Sequence, residues 1–270
     1  MCANCCRFRF YGNLNDFLPV EQRGQWIDYE LDGTVAVKHP IESLGVPHPE
    51  VESIIVNGVF VGFGHHLARG EQIRVLPLSA APQLPERLRL RPPLNRPPHF
   101  VVDTHLGRLA AYLRMLGFDT IYRNDFDDAD LARIAHDQER VLLTRDRGLL
   151  KRKKVIYGFC VRHTDPRAQL VEVLRRYELE SDAQPWRRCT HCNGLLVPVR
   201  KDDILDELEP KTKLYYREFE RCDSCGQIYW KGSHHERMRA FLEEVFSEAR
   251  VSEPASPYTA TDVSDSQMDT

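Results

Sequence analysis

The sequence predicts an α/β protein: a doubly wound parallel sheet with an appended zinc ribbon, preceded by a small α+β domain. Three observations carry this. Strand and helix patterns alternate from Phe100 to Tyr177, the signature of βαβ units. Two Cys-x-x-Cys motifs, Cys189–Cys192 and Cys222–Cys225, follow, each with a glycine close behind, Gly194 and Gly226. Six prolines between 82 and 98 divide this body from what precedes it, because they bar helix and central strand alike. The expected parts are a strand-rich domain over 6–80, a stiff linker over 81–98, an α/β core over 99–182, the ribbon with a C-terminal helix over 183–245, and a disordered acidic tail over 251–270.

The first domain opens with the alternating run Arg7–Tyr11 and a second run, Gln25–Leu31, that ends at the turn pair Asp32-Gly33. Val35–His39 is expected as a strand, and Ile41–Gly45 as a short helix closed by glycine. Ile54–Val61 reads as a hairpin turning at Asn57-Gly58, and Gln72–Leu76 as the last strand. This order resembles a ubiquitin-like β-grasp domain, as in small sulfur carriers. Carriers need a flexible C-terminal Gly-Gly; here the unit runs into Pro77. A docking or RNA-contacting module, with a protein partner, fits better than an accessory to sulfur transfer.

In the body, Phe100–Val102 is an apolar strand closed by the carboxylate of Asp103. Leu106, Leu109, Ala110, Leu113 and Leu116 form one helical stripe that stops at Gly117. Thr120–Tyr122 is the second strand, the acidic turn Asp125–Asp130 leads into a helix through Ile134, and Arg140–Thr144 is the third strand, ending at Arg145-Asp146. Val155–Cys160 is expected as a fourth strand and Ala168–Tyr177 as a further helix. Ligands in such sheets sit beyond the carboxyl ends of the strands. Asp103, Asp146 and either Asp127 or Asp128 are therefore expected on one rim, where hard oxygen ligands suit Mg²⁺ or Mn²⁺. Each acid also has a bland reading: Asp128 as helix cap or first-turn acid, Asp146 as cap of the next helix, Asp165 as cap before Pro166. Arg145, Arg147, Lys151, Arg152, Lys153 and Lys154 cluster beside the third strand and could hold RNA phosphates.

Cys189, Cys192, Cys222 and Cys225 are expected to bind one structural Zn²⁺, since four thiolates leave no position open for substrate. The 29 residues between the knuckles exceed the usual 15–20, so Arg200–Arg217 reads as an excursion from the ribbon. Tyr215, Tyr216, Tyr229 and Trp230 could stack on bases or cover the ribbon's small core. Cys2, Cys5 and Cys6 read as free thiols near a terminus.

Net charge is −3 over 270 residues, which by itself argues neither for nor against nucleic acid. No apolar run reaches the roughly 20 residues that span a bilayer, and the first residues lack the apolar stretch of a signal peptide. Paired cysteines without such a signal suit the reducing cytoplasm.

Several of these segments resemble one family together. Val102-Asp103, Leu106–Thr120, Leu142–Asp146, Cys189–Gly194 and Cys222–Ser233 look like successive motifs of the RNase domain named for the C-terminus of the mut-seven exonuclease. The N-terminal unit looks like the ubiquitin-like domain that often precedes it. The resemblance implies a PIN-like nuclease fold with a zinc ribbon and metal-dependent RNA cleavage. Carried over by position, the acids are Asp103, Asp128 and Asp146, with Asp127 as rival for the second and Thr144 and Arg145 flanking. The contrasting class is a non-catalytic RNA- or protein-binding adaptor that keeps the fold.

Overall fold

Alternation in Cys5–Phe10 sends Cys6, Phe8 and Phe10 into a core and leaves Arg7 and Arg9 outside it. That strand is the second of a five-stranded sheet, ordered Ile27–Glu30, Cys5–Phe10, Gln72–Pro77, Val51–Val56, Val59–Val61. The first strand runs parallel to Gln72–Pro77 and every other pairing is antiparallel. The hairpin turns at Asn57-Gly58 as expected, with positive φ at both. The expected strand at Val35–His39 is absent: Ala36 makes a single bridge to His66, and helix Lys38–Ser43 begins within that stretch. Pro40 lies inside this helix's first turn, where a missing N–H costs little.

The structure is a computed structural model that describes residues 4–77 and 88–251. Cys2, Pro82, Pro85 and all of the expected tail beyond Val251 lie outside the described residues. The chain folds as two compact units. One holds the residues up to Leu94 together with Asp146–Cys160; the other holds Asn95–Arg145 and Val161–Val251.

The described part of the linker is anchored at both ends. In the first unit Leu90 N–H donates to Glu52 O (3.3 Å), Arg91 Nη2 to Val51 O (2.9 Å), and Tyr157 OH to Pro92 O (3.2 Å). In the second, Arg96 donates to Tyr177 O (2.6 Å) and Glu178 O (2.9 Å). Residues 146–160 pack with 1–94, so a cut in the linker should not release a free body. Native size-exclusion of nicked protein is expected to show both fragments co-eluting; separate peaks would contradict this packing.

In the second unit, strands Phe100–Val102, Thr120–Ile121 and Val141–Thr144 are parallel, with Phe100–Val102 between the other two. Nearly every residue in them is buried, as parallel strands covered on both faces require. Helix Gly107–Met115 joins the first to the second, and Asp128–Asp137 joins the second to the third. The chain steps one way across the sheet and then back past its start. Right-handed crossovers therefore place the two helices on opposite faces, which is the doubly wound arrangement. Gly117 ends the first helix at φ +91°, where a Cβ would lie 2.2 Å from Gln184 O. The expected strand from Val155 is shorter, Gly158–Cys160.

The ribbon is the antiparallel set Leu196–Val199, Phe219–Cys222 and Ile228–Trp230. The expected excursion is real: a 3₁₀ segment Lys201–Glu207 and helix Pro210–Tyr215 fill it. Ile204 and Leu208 fold back onto Phe219, giving the ribbon its own small core. Helix Ser233–Arg250 runs past the expected end at 245 and packs on helix Pro166–Tyr177.

Candidate metal centre and active site

Each Cys-x-x-Cys turns through backbone bonds to its first cysteine. Asn193 N–H donates to Cys189 O, and Gly226 N–H to Cys222 O, both 3.0 Å. The four sulfurs all lie within 4.8 Å of one another. Cys189 and Cys225 Sγ are 3.7 Å apart, and Cys192 and Cys222 Sγ 3.3 Å. A tetrahedron with Zn–S of about 2.3 Å has edges of about 3.8 Å, so the cage fits zinc. A Cβ on Gly194 would lie 2.8 Å from Cys222 Sγ, which is why a glycine follows the knuckle.

Burial opposes the Cys189 thiolate, but the Tyr229 hydroxyl at 3.1 Å and the amides of Cys192 and His191 outweigh it, lowering its pKa to about 7. Three of the four aromatic candidates are structural: Tyr229 touches the Cys189 sulfur, Tyr216 packs on the ribbon core, and Trp230 lies against Phe219. Tyr215 is 71% exposed. His235 packs on Trp186 with ring centroids 4.3 Å apart and the planes tilted by 38°.

The knuckle is locked to the parallel sheet by residues to which sequence reasoning gave no role. Arg114, 5% exposed, donates from Nε to Thr120 O (2.9 Å) and from Nη1 to Thr190 O (3.2 Å) and His191 O (2.8 Å). Asn193, next to Cys192, accepts from Thr120 N–H (2.9 Å) and donates to Asp119 Oδ1 (3.0 Å). Asp119 also receives Arg140 (2.7 Å) and Arg188 (3.3 Å). A signal was present: Arg114 falls on the buried face of its helix beside Ala110 and Leu113, and a charge there requires partners.

Burial raises the Asp119 pKa, yet the bonds from Arg140 and Asn193 win and hold it below the ordinary carboxylate value. A carboxyl lowered in the folded state stabilises the fold above its unfolded pKa, and that stability is lost as pH falls through the folded value. Acid unfolding of Asp119→Asn is therefore expected to be shallower below about pH 4 than that of the wild type. Superimposable acid titrations, followed by near-UV circular dichroism, would disprove the coupling.

The acids are placed as follows. Asp103, 9% exposed, ends the central strand, and its N–H donates to Leu143 O (3.0 Å). Its Oδ1 accepts from Thr104 N–H (2.6 Å) and its Oδ2 from Thr144 Oγ1 (2.5 Å). Thr144, fully buried, thus orients the carboxylate from the neighbouring strand. Asp127 is the N-cap of helix Asp128–Asp137, accepting from Asp130 N–H (2.7 Å), and Asp128 is that helix's first residue. Asp165 caps helix Pro166–Tyr177 as expected. Asp146 belongs to the first unit, where it caps the short helix Arg147–Leu150, accepting from Gly148 N–H (2.6 Å) and Leu149 N–H (3.3 Å). Among the described residues, the four cysteines are the group of three or more potential ligands whose donor atoms gather closely enough for one ion.

Of the basic cluster, Arg145, Arg147, Arg152, Lys153 and Lys154 are exposed. Arg147 Nη1 donates to Phe17 O (3.1 Å), and Lys151 Nζ to Glu42 O (2.5 Å). A cavity of about 280 Å³, lined by His99, Phe118, Asp119, Arg187 and Arg188 among others, lies at the amino ends of the parallel strands, away from Asp103.

The model of the Mut7-C RNAse domain matches residues 98–242, more than half of the chain. The chain belongs to the Mut7-C RNAse family. The Mut7-C ubiquitin model matches residues 3–83, covering the five-stranded sheet. Neither curated proteins nor solved structures yield a match. In a doubly wound sheet the crevice opens at the carboxyl end where strand order reverses. In this Mut7-C domain that point lies between Phe100–Val102 and Val141–Thr144, the strands that end in Asp103 and Thr144. No helix among the described residues is long and apolar enough to cross a membrane.

Proposed function

We propose that this protein is a Mg²⁺- or Mn²⁺-dependent ribonuclease with a PIN-like fold, with Asp103, Asp128 and Asp146 as its catalytic acids. The observation that carries the proposal is Asp103: a carboxylate at the switch point of the sheet, oriented by the Thr144 hydroxyl. A charged group this buried is costly to keep unless it is bonded and used. The capping role of Asp127 supports Asp128 as the second acid. Carboxylate oxygens suit a hard divalent cation, and Asp103 Oδ2 keeps a lone pair beyond the bond it accepts from Thr144 Oγ1, whereas Oδ1 already accepts from both the N–H and the hydroxyl of Thr104. Bound there, such an ion would polarise a phosphodiester and lower the pKa of its water.

Phosphates would be held by Arg145, Arg147, Lys151, Arg152, Lys153 and Lys154. Arg147 and Lys151 keep donors beyond those used on Phe17 and Glu42, since a guanidinium has five and an ammonium three. Cleavage of single-stranded RNA with Mn²⁺, abolished by EDTA, tests the reading; no cleavage under either condition would overturn it. One observation favours an adaptor instead: Asp103 and Asp146 already accept hydrogen bonds that serve their own turns. An adaptor would bind RNA or protein without cleaving, and the ubiquitin-like part would be its second docking surface.

A further inference from the structure

We propose that the ubiquitin-like part of this chain is the positioning element for the segment that carries Asp146, with His48 and Glu50 as its main positioning residues. The inference rests on the catalytic reading of Asp146. Residues 146–160 fall inside the match to the RNAse domain, yet they pack with residues 1–94. The segment has little regular structure of its own, helix Arg147–Leu150 and strand Gly158–Cys160. Ordering each backbone residue costs about 1–2 kcal/mol, so something outside the segment must hold it.

The 3₁₀ turn His48–Glu50 does so from both its ends. His48 is 6% exposed, and its Nε2 lies 2.8 Å from Val155 O, which makes that nitrogen a donor. Its Nδ1 lies 2.7 Å from Glu42 Oε1, so the ring is clamped between helix Lys38–Ser43 and the segment. Glu50 is fully buried, and its Oε1 accepts from Cys160 N–H (2.7 Å). Pro49 fills the space between: a Cβ on Gly158 would sit 3.4 Å from Pro49 Cβ and 2.7 Å from Leu150 Cδ2.

Two more bonds fix the stretch next to Asp146. Arg147 donates to Phe17 O with its guanidinium 5.0 Å from the Phe17 ring centroid, and Lys151 donates to Glu42 O. Buried His and Glu side chains are expensive unless bonded. This turn directs both of them at the backbone of one segment, a use that a docking module alone does not require. The cap that Asp146 makes on Gly148 and Leu149 is therefore set on a short helix whose following residues are held by the ubiquitin-like fold.

The test uses full-length protein with His48→Ala, His48→Gln, Glu50→Ala and Glu50→Gln. Misplacing a reacting group by about 1 Å can cost about 100-fold in rate, so the alanine variants are expected to lose kcat on that scale, and KM for RNA should rise as well because Arg147 and Lys151–Lys154 lie on the same segment. Glu50→Gln keeps an acceptor for Cys160 N–H, and His48→Gln keeps a donor for Val155 O; both should recover part of the loss. Zinc content should stay at one per chain. Amide exchange should accelerate across 147–160 while Phe100–Val102 and Thr120–Ile121 stay protected. Wild-type kcat and unchanged protection in both alanine variants would overturn the proposal. If the wild type itself is inert, the ribonuclease reading falls, and amide exchange alone decides whether these side chains hold the segment; unchanged exchange overturns the proposal in that case too.

Discussion

Cys222→Ser is expected to lose zinc and to unfold more than the ribbon. Structural zinc contributes an apparent ~10–16 kcal/mol in zinc-finger peptides, and a site with three thiolates retains only part of it. Cys222 is 2% exposed, ends the strand Phe219–Cys222 and has Gly194 close against its sulfur, so the serine hydroxyl that replaces it is buried rather than solvated. The damage should travel along the bonds that tie the knuckle to the sheet. Arg114 holds the carbonyls of Thr190 and His191, and Asn193 holds Thr120 and Asp119. When the knuckle opens, Arg114 and Asp119 become buried charges with fewer partners, a situation that costs several kcal/mol. Amide exchange should therefore rise at Thr120–Ile121 as well as in the ribbon. One zinc per wild-type chain by metal analysis, and substoichiometric zinc in the variant, is the first reading. Equal zinc in both, or its absence from carefully prepared wild type, would refute the site.

Asp103→Asn separates catalysis from folding. The amide is isosteric, can still accept from Thr104 N–H, and can donate to Thr144 Oγ1, which rotates to accept. Loss of charge assistance in these bonds should cost about 1 kcal/mol. Removing a metal-holding carboxylate should lower cleavage at least about 100-fold. RNA binding should persist, because the phosphates are assigned to arginines and lysines, and it should weaken steeply with salt. The assay is single-stranded RNA with wild type and variant, each with Mn²⁺ and with EDTA. Cleavage only by wild type with Mn²⁺ supports the site. Cleavage equal in all four arms indicates a contaminating nuclease and removes its support.

Local chemistry is what the sequence alone determined. Strand and helix periods, the Asn57-Gly58 turn, Gly117 as a helix stop and the two knuckles are each decided by residues within a few positions of one another, so their physics is readable in order. Four thiolates at that spacing imply their ion without any knowledge of the rest of the chain. The miss at Val35–His39 has the same origin in reverse. Three apolar residues followed by Lys38-His39 are too short a run to carry a period, and only packing chose the helix from Lys38 that buries Ile41.

Tertiary structure alone decided the assignments that depend on distant partners. Arg114 and Asn193 look like a surface arginine and a turn residue until the sheet brings Thr120 and Asp119 to them. Lys151 and Arg147 look like free phosphate ligands until carbonyls 109 and 130 positions away accept their hydrogens. The carbonyl of Val155 and the amide of Cys160 show no partner in order, and only the fold brings His48 and Glu50 to them. The physical reason is common to all three: a buried or half-buried polar group must find its partner somewhere. The sequence announces the need through the residue type, while the fold alone determines who meets it.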